Sequence, residues 1–99
     1  LRAQGAPVSV QVLDIRDAAA LEVAVERIEV DLGAVDALVA CAGASGAGRA
    51  HSLSGPEWSD VVEVNATGTF NTCQAVGRRA GRRATARARS SGAWSRRTC

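Results

Sequence analysis

Apolar and polar positions alternate near the start of the chain, where Val8, Val10 and Val12 are separated by Ser9 and Gln11 and the run ends at Leu13, Asp14 and Ile15. A period of two predicts a strand, because successive side chains then point to opposite faces. The period changes after residue 17. Leu21, Val25, Ile28 and Leu32 recur at intervals of three and four, with Glu22, Glu26 and Glu29 on the other faces, which predicts a surface helix with one buried stripe. Asp17 can cap its first turn and Gly33 can end it in a left-handed conformation. The wholly apolar run from Ala37 to Cys41 reads as a parallel strand buried on both faces. Strand, helix and strand within about 35 residues is the spacing of a right-handed crossover unit, so the fold class expected is α/β.

Residues 43–48 are all Gly, Ala and Ser, a loop at the carboxyl end of the second strand. In open α/β sheets that edge is where ligands bind. Ser54, Gly55, Pro56 and Glu57 form a Ser-x-x-Glu capping box with an early proline, predicting a helix that runs through Trp58, Val61, Val62 and Val64. Asn65, Thr67, Gly68 and Thr69 are poor helix residues and should loosen or kink it before Phe70, Cys73 and Val76 resume the apolar stripe. From Gly77 onward neither period survives, and Trp94 is the one large apolar residue, so no packed structure is expected there. The chain divides on this basis into a partial domain, 1–80, and an arginine-rich tail without order, 81–99.

Composition sharpens this picture. Ninety-nine residues are few for a wide sheet covered on both faces, and with 46% apolar residues but only 3% aromatic the core should be thin. The net charge of +2 conceals an asymmetry: residues 1–77 carry ten acids and four arginines, whereas residues 78–99 carry eight arginines and no acid. Lysine and tyrosine are both absent. Cys41, Cys73 and Cys99 are odd in number and widely spaced, which indicates neither a disulfide framework nor a paired-thiol metal site; a reducing, cytoplasmic setting fits. Cys41 reads as a small buried hydrophobe rather than a reactive thiol. His51 stands in a polar loop without a second ligand, so no metal is expected. No apolar stretch is long enough to span a bilayer, and no membrane partner is expected. Leu1 in place of methionine suggests a truncated start.

Four segments, VLDIRD at 12–17, LGAVDALVACAG at 32–43, LSGPEW at 53–58 and DVVEVNATGTFNTCQAV at 60–76, stand in the order and separation found in the short-chain dehydrogenases/reductases, and over residues 1 to 80 the chain resembles an internal fragment of that family. The resemblance implies a partial Rossmann-like, doubly wound parallel sheet, of which two strands and two to three helices are present. It also implies NAD or NADP as cofactor and a small-molecule carbonyl or secondary alcohol as substrate, in an oxidoreductase whose intact members are homo-oligomeric. Asp14 then sits where the family has an aspartate that accepts from the adenine amine, and the backbone of Ile15 closes the same pocket. By residue chemistry alone Asp14 ends a strand and begins a turn. Ala40, Cys41, Ala42 and Gly43 stand in place of Asn-Asn-Ala-Gly: Ala40 and Cys41 lack the family's amides, while Ala42 and Gly43 keep the small residues that let a cofactor approach the backbone. Asn65 matches the asparagine that kinks the long helix and positions a water of the proton relay.

The same resemblance shows what this chain lacks. The family holds pyrophosphate in a glycine-rich turn after its first strand, which would precede Leu1. It performs chemistry with a tyrosine made acidic by a lysine four residues on, and neither residue type occurs here. The run 43–48 lacks the ordered glycine register of a nucleotide turn. Loss of period with an excess of Arg, Ala, Gly and Ser suggests a GC-rich gene read out of frame near residue 80; sequencing the gene tests this by asking whether another frame restores an apolar strand and a Tyr-x-x-x-Lys. Substrate identity and the choice between NAD and NADP depend on residues outside the matched segments. Two other readings differ in class. The arginine tail could bind nucleic acid or an acidic surface through salt-sensitive attraction, a lesser reading because the rest of the chain is acidic. Alternatively, the helix of residues 55–77 could pair an inactive scaffold with an intact relative.

Overall fold

The structure, a computed structural model, describes residues 2–90. Its regular elements are the helices α1 (Ala18–Leu32), α2 (Gly55–Val62) and α3 (Thr69–Ser90), with a π-helical turn over Glu63–Gly68 joining α2 to α3 and short 3-10 turns at Arg2–Gln4 and Ala50–Ser52.

The helix signals act where the sequence places them. The Asp17 carboxylate accepts from the Ala20 amide at 3.0 Å, satisfying one of the donors that a first turn leaves unpaired. At the other end Gly33 takes a φ of +93° and donates its N–H to the Glu29 carbonyl. In α2 the capping box is complete: the Glu57 amide donates to the Ser54 hydroxyl oxygen, and the Glu57 carboxylate accepts from the Ser54 amide at 2.9 Å. The poor helix residues 65–69 do not break the helix. They coincide with the widening into a π turn, the form in which backbone carbonyls slip out of register.

Leu21, Ala24 and Val25 of α1 are buried, as is Ala75 of α3, and Leu13, Ile15 and Val76 pack at the edge of this cluster. The core is thin, as the composition implies. Only the amino-terminal part of the expected α1 stripe is covered, since Ile28 is half-buried and Leu32 exposed.

The expected sheet is not formed. Among the described residues no strand occurs, and residues 6–14 and 33–46 run without regular hydrogen-bonded structure. A strand exists by pairing, and these two segments exchange no backbone hydrogen bond with each other. With no neighbouring strand to cover them, Val12 is 98% and Val39 81% exposed, so the run 37–41 is not the doubly buried strand its apolarity predicts. Cys41 is corrected with it: the thiol is exposed rather than buried, as is Cys73. A second correction concerns residues 77–90, which are helical and not without structure; α3 crosses residue 80 without a break. Ala and Arg are strong helix formers, and ionic contacts fix this helix against α1. Arg79 donates to Glu29 at 3.1 Å, Arg83 donates to the same carboxylate and, at 2.6 Å, to the Val35 carbonyl, and Arg78 lies 3.6 Å from Glu22. The acidic flank of α1 thereby holds a helix that has almost no apolar stripe of its own. The expectation of disorder over 91–99 falls outside the described residues.

Candidate functional site

The residues singled out by sequence converge on one short helical stretch, residues 65–72, which touches both loops that precede it. At its start, the Asn65 side chain closes a two-bond ring with the backbone of Ala44: the Ala44 amide donates to Asn65 Oδ1 at 2.7 Å and Asn65 Nδ2 donates to the Ala44 carbonyl at 2.8 Å. An amide side chain is the group that can satisfy both at once. Gly43 has a packing reason to be small, because a Cβ there would lie 3.1 Å from Asn65 Oδ1.

One turn further, Gly68 receives Ile15. A Cβ on Gly68 would come within 2.5 Å of Ile15 Cδ1, so the close approach of the 14–17 turn to the helix depends on the missing side chain. Asn71 completes the attachment by donating to the carbonyls of Ile15 and Arg16, each at 3.3 Å. Ile15 then lines a cavity of about 130 Å³ together with Ala40, Cys41, Ala42, Thr69 and Thr72. Thus Ile15, Ala40 and Ala42 share one wall, and Gly43 and Asn65 share the next.

Asp14 stands at the outer end of this rim. Its main-chain carbonyl accepts from the Asp17 amide, making the turn that aspartate chemistry favours. Its carboxylate is held by Arg16, whose Nε donates to both oxygens at 3.0 Å, whose Nη2 donates to Oδ2 at 2.6 Å and whose amide donates to Oδ1 at 2.9 Å. The side-chain bond from Arg16 is the principal cause that draws the Asp14 carboxyl down to about 2. Arg16 also reaches Asp60 of α2 at 3.5 Å, and so ties the turn to the second helix across a cleft of about 330 Å³ lined by residues 44–47, Glu57 and Asp60. Gly68, Asn71, Arg16 and Asp60 were not among the residues that sequence singled out for a site. Gly68 left a signal, since a glycine inside a helical pattern often marks close packing; Asn71, Arg16 and Asp60 act through contacts that no local pattern encodes.

The chemistry of these groups fits one end of a dinucleotide. An ionised, half-exposed carboxylate at Asp14 is an acceptor for an exocyclic amine, and the backbone at Ala42 and Gly43 is open enough for close approach. The remainder does not fit. The cavity at Ile15 is smaller than a cofactor site, and the cleft beside Arg16 has acidic walls that repel phosphate.

Comparison with known proteins places the arrangement. A profile of the short chain dehydrogenase family matches residues 1–87. The chain belongs to this family. The short chain dehydrogenase match contains every residue of the rim and runs ten residues past Gly77, where the sequence pattern fails. Among curated relatives, the 2,3-dihydro-2,3-dihydroxybenzoate dehydrogenase of Bacillus subtilis is 41% identical over 76 residues, covering 77% of this chain and 29% of that protein. The D-threitol dehydrogenase of Mycolicibacterium smegmatis is 38% identical over 66 residues, 67% of this chain and 25% of the relative. An uncharacterised NAD-dependent oxidoreductase of Mycobacterium tuberculosis is 39% identical over 76 residues, 77% of this chain and 28% of its own. The chain thus spans under a third of the length of these relatives. No solved structure matches it.

Proposed function

We propose that this chain is an internal portion of an NAD- or NADP-dependent short-chain dehydrogenase/reductase acting on a small carbonyl or secondary alcohol, and that by itself it is inactive. The observation that carries the reading is the joint attachment of both loops to residues 65–72, through Asn65 to Ala44 and through Gly68 and Asn71 to the Ile15 turn. This attachment fixes the relative positions of the family-matched segments without a paired sheet between them.

In this reading Asp14 accepts from the adenine amine, the main chain of Ile15 closes the base pocket, and Ala40, Ala42 and Gly43 form a small-residue floor whose cavity of about 130 Å³ admits only part of the cofactor. The nicotinamide, when bound, supplies the hydride acceptor or donor. Asn65 contributes through its backbone: its side-chain amide is engaged with Ala44, so any relay water is held by carbonyls that the π turn takes out of the ordinary helical register. The acid that would protonate a carbonyl cannot be built from this chain, which has neither tyrosine nor lysine. Among the described residues no helix is long and apolar enough to cross a membrane. As part of the same family reading, we propose a cytoplasmic protein whose whole relatives assemble as homo-oligomers.

Titrating isotope-labelled chain with NAD⁺, NADP⁺ and AMP tests the reading. Saturable shifts at the amides of Asp14, Ile15, Ala42 and Gly43, shared by all three ligands and without turnover of alcohols or ketones, are expected. Turnover would overturn the claim of inactivity, and shifts confined to other residues would overturn the site.

A further inference from the structure

α3 carries two rows of arginine. Arg79, Arg83 and Arg87 recur every four residues, and Arg78, Arg82 and Arg89 lie within about 40° of one another on the neighbouring face. Position along the helix, not the row, decides what these arginines meet. Arg78, Arg79 and Arg83 are matched by Glu22, Glu26 and Glu29 of α1, three cations against three anions, which anchors the helix and leaves no surplus there. Arg82, Arg87 and Arg89 are exposed, and their guanidinium groups have no ion-pair or hydrogen-bond partner among the described residues; the Ser90 hydroxyl bonds only the Arg87 main-chain carbonyl. No acid occurs after Glu63, so their charge is opposed by nothing on their own helix.

From this unbalanced end of an anchored helix we infer that residues 78–90 form a docking surface for the phosphodiester backbone of duplex nucleic acid, bound without regard to sequence. The chemistry selects this partner over others. Residues 77–90 contain only Gly, Arg, Ala, Thr and Ser; a helix inserted in a membrane surface would need large apolar residues on one side, a protein interface would need an apolar centre, and competition by anionic lipid vesicles equal to that by unlabelled duplex would overturn the choice of partner. Phosphate asks only for charge and paired donors, which the planar guanidinium offers in a fork. Gly81, Thr85 and Ala86 lie between Arg82 and Arg89 along one open cleft, where short side chains let the helix approach a strand closely. Arg82 and Arg89 are two turns apart, about 10.5 Å along the helix. The charge pattern acts on phosphates whatever the genetic origin of residues 78–90.

The test is fluorescence anisotropy of the full chain against a labelled duplex of about 20 base pairs and mixed sequence, across a salt series. Three phosphate contacts predict a log–log salt slope of about −2.7 and a roughly 40-fold loss of affinity between 50 and 200 mM salt. The combined variant Arg82→Gln, Arg87→Gln and Arg89→Gln, with helicity checked by circular dichroism, should reduce binding at low salt by at least about tenfold and flatten the slope. No binding of the unaltered chain at low salt, binding that survives the triple variant, or competition by polyglutamate equal to that by unlabelled duplex would each overturn the inference. It does not rest on the oxidoreductase reading, since none of the three arginines touches the rim, and the nucleotide titration is unaffected by its failure.

Discussion

Single residues decide whether the rim exists. Gly68 is the sharpest case, because Gly68→Ala would press a methyl against Ile15, and overpacking of this kind costs about 1–3 kcal/mol. Pairing it with Ile15→Ala should return much of that loss, a coupling read by urea denaturation in a double-mutant cycle. Asn65→Ala removes both bonds to Ala44, and faster hydrogen exchange at the Ala44 amide is the expected result. Asp14 contributes a pH dependence. Its carboxyl, ordinarily near 3.8, lies at about 2 in the folded chain because of Arg16, so its contribution is present above about 3.8 and is lost as pH falls towards 2. Glu57, lowered by the Ser54 hydroxyl and amide, adds in the same direction. Arg16→Gln should move the Asp14 titration, followed by carboxyl carbon chemical shift, back towards 3.8.

At the scale of elements, α1 stands on its own signals while the distal half of α3 depends on α1. Burial pushes Glu29 up, but donors from Arg79, the Val35 amide and Arg83 outweigh it and hold the carboxyl below its ordinary value. Glu29→Gln removes that charge from between two arginines, and loss of ellipticity at 222 nm from the unwinding of residues 79–90 is expected, with α1 retained. The helix starts, the cap at Asp17, the capping box at Ser54 and the loosening near Asn65 were all legible in the sequence, because each is a local signal answered within four residues. The extension of α3 was not legible. It has no hydrophobic period, and its support comes from acids some 50 residues earlier in the chain.

The whole molecule explains why the apolar runs at 8–13 and 37–41 are not paired into strands among the described residues. Their periodicity describes strands, yet a strand also needs neighbours, and pattern alone carries no information about whether those are present. Asp14, Ile15, Gly43 and Asn65 could be named because their spacing is shared with a family; Arg16, Gly68 and Asn71, which hold them together, could not. With a Cα radius of gyration of 18.5 Å, against roughly 13 Å for a compact domain of 100 residues, the chain is open. Exposed Val10, Val12, Val39 and Phe70 should bind the dye ANS in the native state and favour self-association at high concentration. The central claim is that residues 65–72 gather both loops into one rim. A nuclear Overhauser spectrum of the isolated chain tests it directly: cross-peaks from the Ile15 methyl groups to the Gly68 α-protons, and from the Asn65 side-chain amide to the Ala44 amide, are predicted, whereas their absence with Ile15 methyl shifts at random-coil values would contradict it.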